Sequence, residues 1–264
     1  MYEFEFVKPK SLAEAVQALR AEDAQPLGGG QTLIITLKQR LAQAARLVDV
    51  TEVAEMRRIE VKGDAVSIGG AVRHAEVERS QEVKQRIPAL AELASNIGDA
   101  QVRNRGTLGG SLANNDPSAC YPAAALGLGA TIHTTDRPIK ADDYFQGLFT
   151  TALEEGELIV SVDFPVPERA NYQKFDQPAS RFALVGVFVA RFGDGARVAV
   201  TGASNGGVFR WTEAERALSS NFSPDAVKDL KIAPDGMIGD LHGSPEYRAH
   251  LVSVLTRRAV AAAG

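Results

Sequence analysis

Two glycine-rich stretches constrain this chain more than anything else in it. The first is Leu27-Gly28-Gly29-Gly30-Gln31-Thr32-Leu33, and the second runs from Gly106-Thr107-Leu108-Gly109-Gly110-Ser111 to Asn115-Asp116-Pro117. Glycine lets a backbone take φ > 0 and lets a ligand approach, because no Cβ intervenes. Consecutive N–H groups in such turns form a concave nest suited to phosphate oxygens. Two nests in one chain fit two phosphates, or one diphosphate held from both sides. Two plain tight turns are the alternative. The hydroxyls of Thr32, Thr107 and Ser111 favour a nucleotide.

Three standard phosphate motifs are absent. No glycine turn ends in Gly-Lys-Ser/Thr, as a P-loop does. In a dinucleotide fingerprint Leu33 would stand at the third glycine position. There is no His-Arg-Asp loop or Asp-Phe-Gly of a kinase. Other classes are bounded by composition. A net charge of −4 leaves no basic footprint for nucleic acid. A single cysteine, Cys120, excludes an internal disulfide and a cysteine-built cluster within the chain. His74, His133, His242 and His250 lack metal-ligand spacing and read as structural or surface residues, so no metal site is expected. The opening Met1-Tyr2-Glu3-Phe4 has neither a basic nor an apolar leader region, and the apolar runs are too short for a membrane span. A cytoplasmic protein is the expectation.

Along the chain, Tyr2–Phe6 reads as a strand, Ser11 with Glu14 as a capping box, and Leu47–Val50 as a strand. This predicts a small α/β unit ending near Val53. Ile59–Val61 and Val66–Ile68 predict paired strands. A helix is expected near Ala75 and another with Pro88 at its first position. Pro122–Leu128 reads as a helix, and Ala130–Thr134 and Leu158–Phe164 as strands. Pro165-Val166-Pro167 marks a boundary. Beyond it, Phe182–Phe192 and Val198–Thr201 predict antiparallel strands around Gly193-Asp194-Gly195. Helices are expected over Thr212–Leu218, after Ser223-Pro224 and after Ser244-Pro245.

Several short patterns together carry a resemblance. They are Phe6-Val7-Lys8-Pro9-Lys10-Ser11-Leu12-Ala13-Glu14-Ala15, the Gly28-Gly29-Gly30 turn, Arg103-Asn104-Arg105-Gly106-Thr107-Leu108-Gly109-Gly110-Ser111, Asn115-Asp116-Pro117, and Ser244-x-x-Tyr247-Arg248. With these the chain resembles, over essentially its whole length, the FAD-binding medium subunits of molybdenum hydroxylases, the group of carbon monoxide and xanthine dehydrogenases. The resemblance implies an α+β fold. A two-subdomain α/β FAD-binding region of the vanillyl-alcohol-oxidase (PCMH) type would occupy 1–168, with subdomains of about 1–55 and 56–168. A C-terminal domain over 169–264 would hold an antiparallel sheet with helices.

The same resemblance implies an oxidoreductase subunit without catalytic residues of its own. Non-covalent FAD would be held by the first turn from Leu27 to Ile34, including Gln31 and Thr32, and by Thr107 to Ser111. Ile97 would lie by the adenosine half and Ile159 near the flavin, with Asp116 and Lys174 also at the cofactor. Cys120 stands where many family members carry an Asp, and whether Asp116 replaces that carboxylate is open. The implied partners are a large molybdenum-cofactor subunit and a small subunit with two-iron two-sulfur clusters, arranged as a dimer of heterotrimers. Electrons would pass from those clusters through FAD to a quinone, NAD or oxygen. The complex would oxidise carbon monoxide, an aldehyde or an N-heterocycle. The residues alone also allow a nucleotide-binding regulatory or assembly module without redox turnover. Asp116 before Pro117 also fits a plain turn, Cys120 a small buried hydrophobe, and Lys174 a solvated lysine. Arg103 and Arg105 could be surface charges or phosphate neutralisers.

Overall fold

The computed structural model describes residues 1–263 and contains three main sheets in succession, with a separate two-stranded hairpin inserted in the second unit. The first unit runs β1 (Glu5–Val7), α1 (Leu12–Leu19), β2 (Ala24–Leu27), α2 (Leu33–Lys38), β3 (Arg46–Asp49). Its strands are parallel in the order β1-β3-β2, with Phe6 opposite Leu47 and Pro26 opposite Val48. Pro26 is tolerated because β2 is an edge strand. Ser11 starts α1 by accepting from Glu14 N, and the Glu14 carboxylate reaches Lys10 N rather than Ser11 N. Ala15 and Leu19 of α1 pack on Val48, while Leu37 of α2 packs with Leu27 and Leu47 on the other side.

The second unit is an antiparallel sheet in the order β4-β5-β10-β6-β7. Its elements are β4 (Ile59–Lys62), β5 (Ala65–Gly69), α3 (His74–Arg79), α4 (Gln81–Arg86), α5 (Pro88–Ser95), α6 (Ala100–Arg103), α7 (Leu108–Asn114), α8 (Tyr121–Leu128), β6 (Thr131–Thr134), β7 (Pro138–Lys140), α9 (Ala141–Tyr144), the hairpin β8 (Phe145–Gly147) and β9 (Thr150–Thr151), and β10 (Ile159–Pro165). The last strand returns to the centre, so Val162 faces Ile68 on one side and Ile132 on the other. Val66, Ile68, Ile132, Val162 and Phe164 are sealed beneath Leu90, Leu93, Leu108 and Leu112.

The third unit is a meander, β11 (Arg169–Asp176), β12 (Ala183–Phe192), β13 (Gly195–Thr201) and β14 (Phe209–Arg210), followed by α10 (Thr212–Ser220) and α11 (Pro245–Ala262). The first eight residues of β12 are all buried. Phe188 and Ala190 join the core of the second unit, and Val185, Val187 and Val189 join the core under α10 and α11. A sheet covered on both faces explains why β12 reads as a continuous apolar run rather than an alternating one. It also explains why every residue of α8, which lies between the two sheets, is buried.

Two expectations are corrected. The second glycine stretch is not an open turn, because Leu108–Asn114 is helical, with Thr107 as N-cap accepting from Gly110 N. Its glycines therefore carry no positive φ, whereas Gly30 does, at 71°. The segment after Ser223-Pro224 is one 3-10 turn, Pro224–Val227, rather than a full helix. The edge strand β11 and helix α4 carry no strong local pattern and are set by packing.

Candidate functional site

A cleft of about 950 Å³ opens where the three units meet. That is the upper end of the roughly 300–1,000 Å³ usual for ligand pockets. The first turn forms one wall. Gly30 at φ 71° reverses the chain after β2, a conformation that favours glycine. Among the described residues, the N–H groups of Gly28, Gly29, Gly30, Gln31 and Thr32 donate to no protein acceptor. These five consecutive donors border the cleft. Buried or half-buried backbone donors are rarely left unpaired, so the run of four from Gly28 to Gln31 calls for an anionic acceptor.

The second stretch forms the facing wall, with the donors from Leu108 to Ser111 spent. Leu108 N donates to Val72 O at 3.0 Å and Gly109 N to Gly70 O at 2.8 Å. Gly110 N goes to Thr107 Oγ1 at 3.2 Å and Ser111 N to Thr107 O at 3.0 Å. Close approach is what glycine supplies here. A Cβ on Gly109 would stand 2.7 Å from Gly70 O, and one on Gly29 would stand 1.9 Å from Arg105 O. The two turns are thus pressed together backbone to backbone. Gly110 differs: its added Cβ would meet only Thr107 Oγ1, at 2.9 Å, and it borders the cleft.

Of the residues expected at the site, Leu27 to Leu33, Ile97, Thr107, Gly109, Gly110, Ser111, Asp116, Cys120, Ile159 and Lys174 all line this cleft. Two do not. Leu108 is wholly buried in the second unit's core, and Ile34 packs in the cluster of Leu27 and Leu37. Helical periodicity turns both side chains away from the opening. Arg103 pairs with Glu78 at 3.0 Å and donates to Ile97 O, so it is neither a free surface charge nor a cleft cation. Arg105 is exposed.

Lys174 is no solvated lysine. Its ammonium donates to Asn96 O at 2.7 Å and Arg181 O at 2.6 Å, and it pairs with Asp176 at 2.9 Å. The Asn96 contact ties β11 to the loop after α5, and the Arg181 contact ties it to the β11–β12 loop. Asp116 Oδ1 accepts from Ser118 N at 2.8 Å, and burial pushes its pKa up. Pro117 O accepts from Gly202 N and Thr201 Oγ1, which anchors this wall to β13. Burial likewise raises the Cys120 thiol pKa, as expected of a small buried hydrophobe.

Sequence reasoning passed over His74, Gly70 and Glu157, which also border the cleft. The Gly69-Gly70 pair was a readable signal. A Cβ on Gly70 would stand 2.1 Å from Ile159 O, so two strands and α7 can close only on glycine there. Glu157 is buried; burial opposes its charge, but hydrogen bonds from Thr134 and Glu154 N, with Arg137 beside it, hold its pKa below the usual carboxylate value. His74 carries no local signal. No helix among the described residues is long and apolar enough to cross a membrane.

The family described as FAD binding domain in molybdopterin dehydrogenase matches residues 2–167. The glyceraldehyde dehydrogenase medium chain of Sulfolobus acidocaldarius is 34% identical, over 97% of this chain and 97% of that one. The nicotine 6-hydroxylase medium subunit of Paenarthrobacter nicotinovorans is 35% identical, over 98% and 96%. Among solved structures, the reconstituted CO dehydrogenase from Oligotropha carboxidovorans superposes with a TM-score of 0.91 at 32% identity, covering 99% of this chain and 98% of that one. A cleft with five free backbone donors on one wall and a glycine-packed second wall suits the diphosphate of such a cofactor. The chain belongs to the FAD-binding family of the molybdopterin dehydrogenases, a family of oxidoreductase subunits.

Proposed function

We propose that this chain is the electron-transferring subunit of a molybdenum hydroxylase complex. In this reading a large partner holds the molybdenum cofactor and a small partner holds two-iron two-sulfur clusters. Two such trimers associate. Electrons come from those clusters and leave to a quinone, NAD or oxygen. The substrate is carbon monoxide, an aldehyde or an N-heterocycle, the range spanned by the names of the relatives. The single cysteine agrees, since four-thiolate clusters need another chain.

The observation that carries the reading is the run of unpaired donors at Gly28–Thr32 inside a cleft walled by all three units. When bound, FAD supplies the redox chemistry. The protein binds and orients it. The first turn holds the diphosphate, and Gly110 leaves room for it. Ile97 and Ile159 supply apolar walls for the adenosine and flavin halves. Lys174 fixes the wall between β11 and Asn96 rather than donating to the cofactor. The FAD-binding region is residues 1–168, and 169–264 closes the cleft from the far side.

Heat release of the chromophore followed by mass spectrometry tests the cofactor, and stoichiometric FAD is expected. FMN, or no flavin from a folded complex, overturns the reading. Anaerobic stopped-flow absorbance tests the role. Dithionite should bleach the isolated flavoprotein, whereas carbon monoxide, aldehydes and N-heterocycles should do so only after the partners are added. Rapid bleaching of the single chain by any of those substrates would refute it.

A further inference from the structure

We propose that His74 is an additional ligand-binding residue of this cleft, its imidazole Nε2–H donating to the diphosphate of the bound nucleotide. The inference rests on the FAD reading above. It begins from an imbalance between the two walls. The first turn offers five free N–H groups, while Leu108 to Ser111 have none left. Apart from Thr107 N–H, further donors on the second wall must come from side chains, and His74 is placed to supply one.

His74 is only 5% exposed and borders the cleft. Its Nε2 stands 2.6 Å from where a Cβ on Gly106 would lie, so the ring fills the space that glycine leaves there. Gly106 in turn touches the first turn, since a Cβ on Gly29 would be 2.6 Å from Gly106 Cα. The imidazole therefore packs on Gly106, and Gly106 on Gly29 of the first turn. Neither ring nitrogen has a hydrogen-bond partner among the described residues. Nδ1 is sealed from solvent, and Nε2 is not. A sealed N–H without an acceptor is rarer than a sealed lone pair, which assigns the proton to Nε2, toward the cleft. Tyr121 packs against the ring at 5.2 Å. Burial first, then the nearby Arg103, keeps the imidazole neutral at pH 7. A neutral imidazole N–H donates to a phosphate oxygen without adding a charge to the buried wall.

The test titrates apo-protein with FAD and separately with ADP, for wild type, His74→Gln and His74→Leu. A lost hydrogen bond to a charged group predicts roughly 10- to 100-fold weaker binding of both ligands to His74→Leu. The glutamine, which keeps a donor, should lose less. Equal ratios for FAD and ADP place the contact on the diphosphate. Weaker FAD with unchanged ADP, or unchanged affinity for both, overturns the proposal. A wild-type chain that binds ADP but no FAD overturns the functional reading, while the ADP ratios still judge His74. A wild-type measurement guards against misfolded variants. In ¹⁵N-histidine NMR, ADP should shift the ring nitrogens of His74 and spare His133, His242 and His250. An unmoved His74 resonance refutes the contact.

Discussion

The two glycine turns look alike in sequence and do opposite things. In the first, glycine frees the backbone. Gly30 takes a left-handed φ, and five N–H groups along the cleft have no protein partner. In the second, glycine lets backbones touch. Gly109 lies against Gly70, Gly106 against His74, and the donors from Leu108 to Ser111 are all spent inside the protein. One turn is an open cradle and the other a packed seam that holds the cradle in place. A glycine cluster thus says only that a Cβ is unwelcome. Whether its N–H groups remain free depends on what lies across from them.

The largest effect should come from adding a methyl group where the first turn presses on the second stretch. Gly29→Ala would place Cβ 1.9 Å from Arg105 O, a backbone atom that cannot step aside. The expected loss is about 4 kcal/mol or more, in the exceptional range for one substitution, together with loss of FAD. Gly110→Ala should instead cost no more than about 1 kcal/mol, the worth of the Thr107 cap, while weakening FAD, because its Cβ meets only Thr107 Oγ1, at 2.9 Å, and the residue borders the cleft. Urea melts beside flavin titrations separate the two, and equal melts would erase the distinction between the pressed backbone contact and the open side of α7.

A second effect concerns the imidazole wedged at Gly106. Burial, aided by Arg103, lowers the His74 pKa from 6.5 to about 4. The unfolded chain therefore binds this proton below pH 6.5 and the folded chain only near pH 4. Stability from His74 is present above pH 6.5 and is lost as pH falls through that window. The linked loss is about 3 kcal/mol for apo-protein. The difference between wild type and His74→Gln, melted from pH 7 to pH 4, isolates it. Parallel curves would show the ring is not sealed in the seam.

The smallest effect compares the two N-caps. Thr107 accepts from Gly110 N, whereas Thr32 makes no side-chain cap bond. Thr107→Ala should cost about 1 kcal/mol, and Thr32→Ala close to nothing. A matching cost at Thr32 would mean that the first turn is held like the second.

Much of the fold is legible in local sequence signals. The paired strands β4 and β5, the start of α5 at Pro88, the β12–β13 hairpin and the end of β10 at Pro165 all rest on them. Proline, glycine pairs and apolar periodicity act within a few residues, so they show in one dimension. The glycine stretches mark the cleft for the same reason, and most of the residues expected at the site line it. Leu108 and Ile34 fall outside it because turning the second stretch into α7, and placing Ile34 in α2, rotates them inward.

The sequence by itself determined where side chains are unwelcome, where helices begin and which family pattern the chain follows. Only the tertiary structure decided which backbone donors stay free. It placed Lys174 at the cleft with backbone acceptors, Asn96 O and Arg181 O, that the fold sets. It also brought His74 beneath Gly106, next to the first turn. The physical reason is the same in each case. A hydrogen bond needs its partner within about 3 Å, and the partners here are brought together by sheet packing across long stretches of chain.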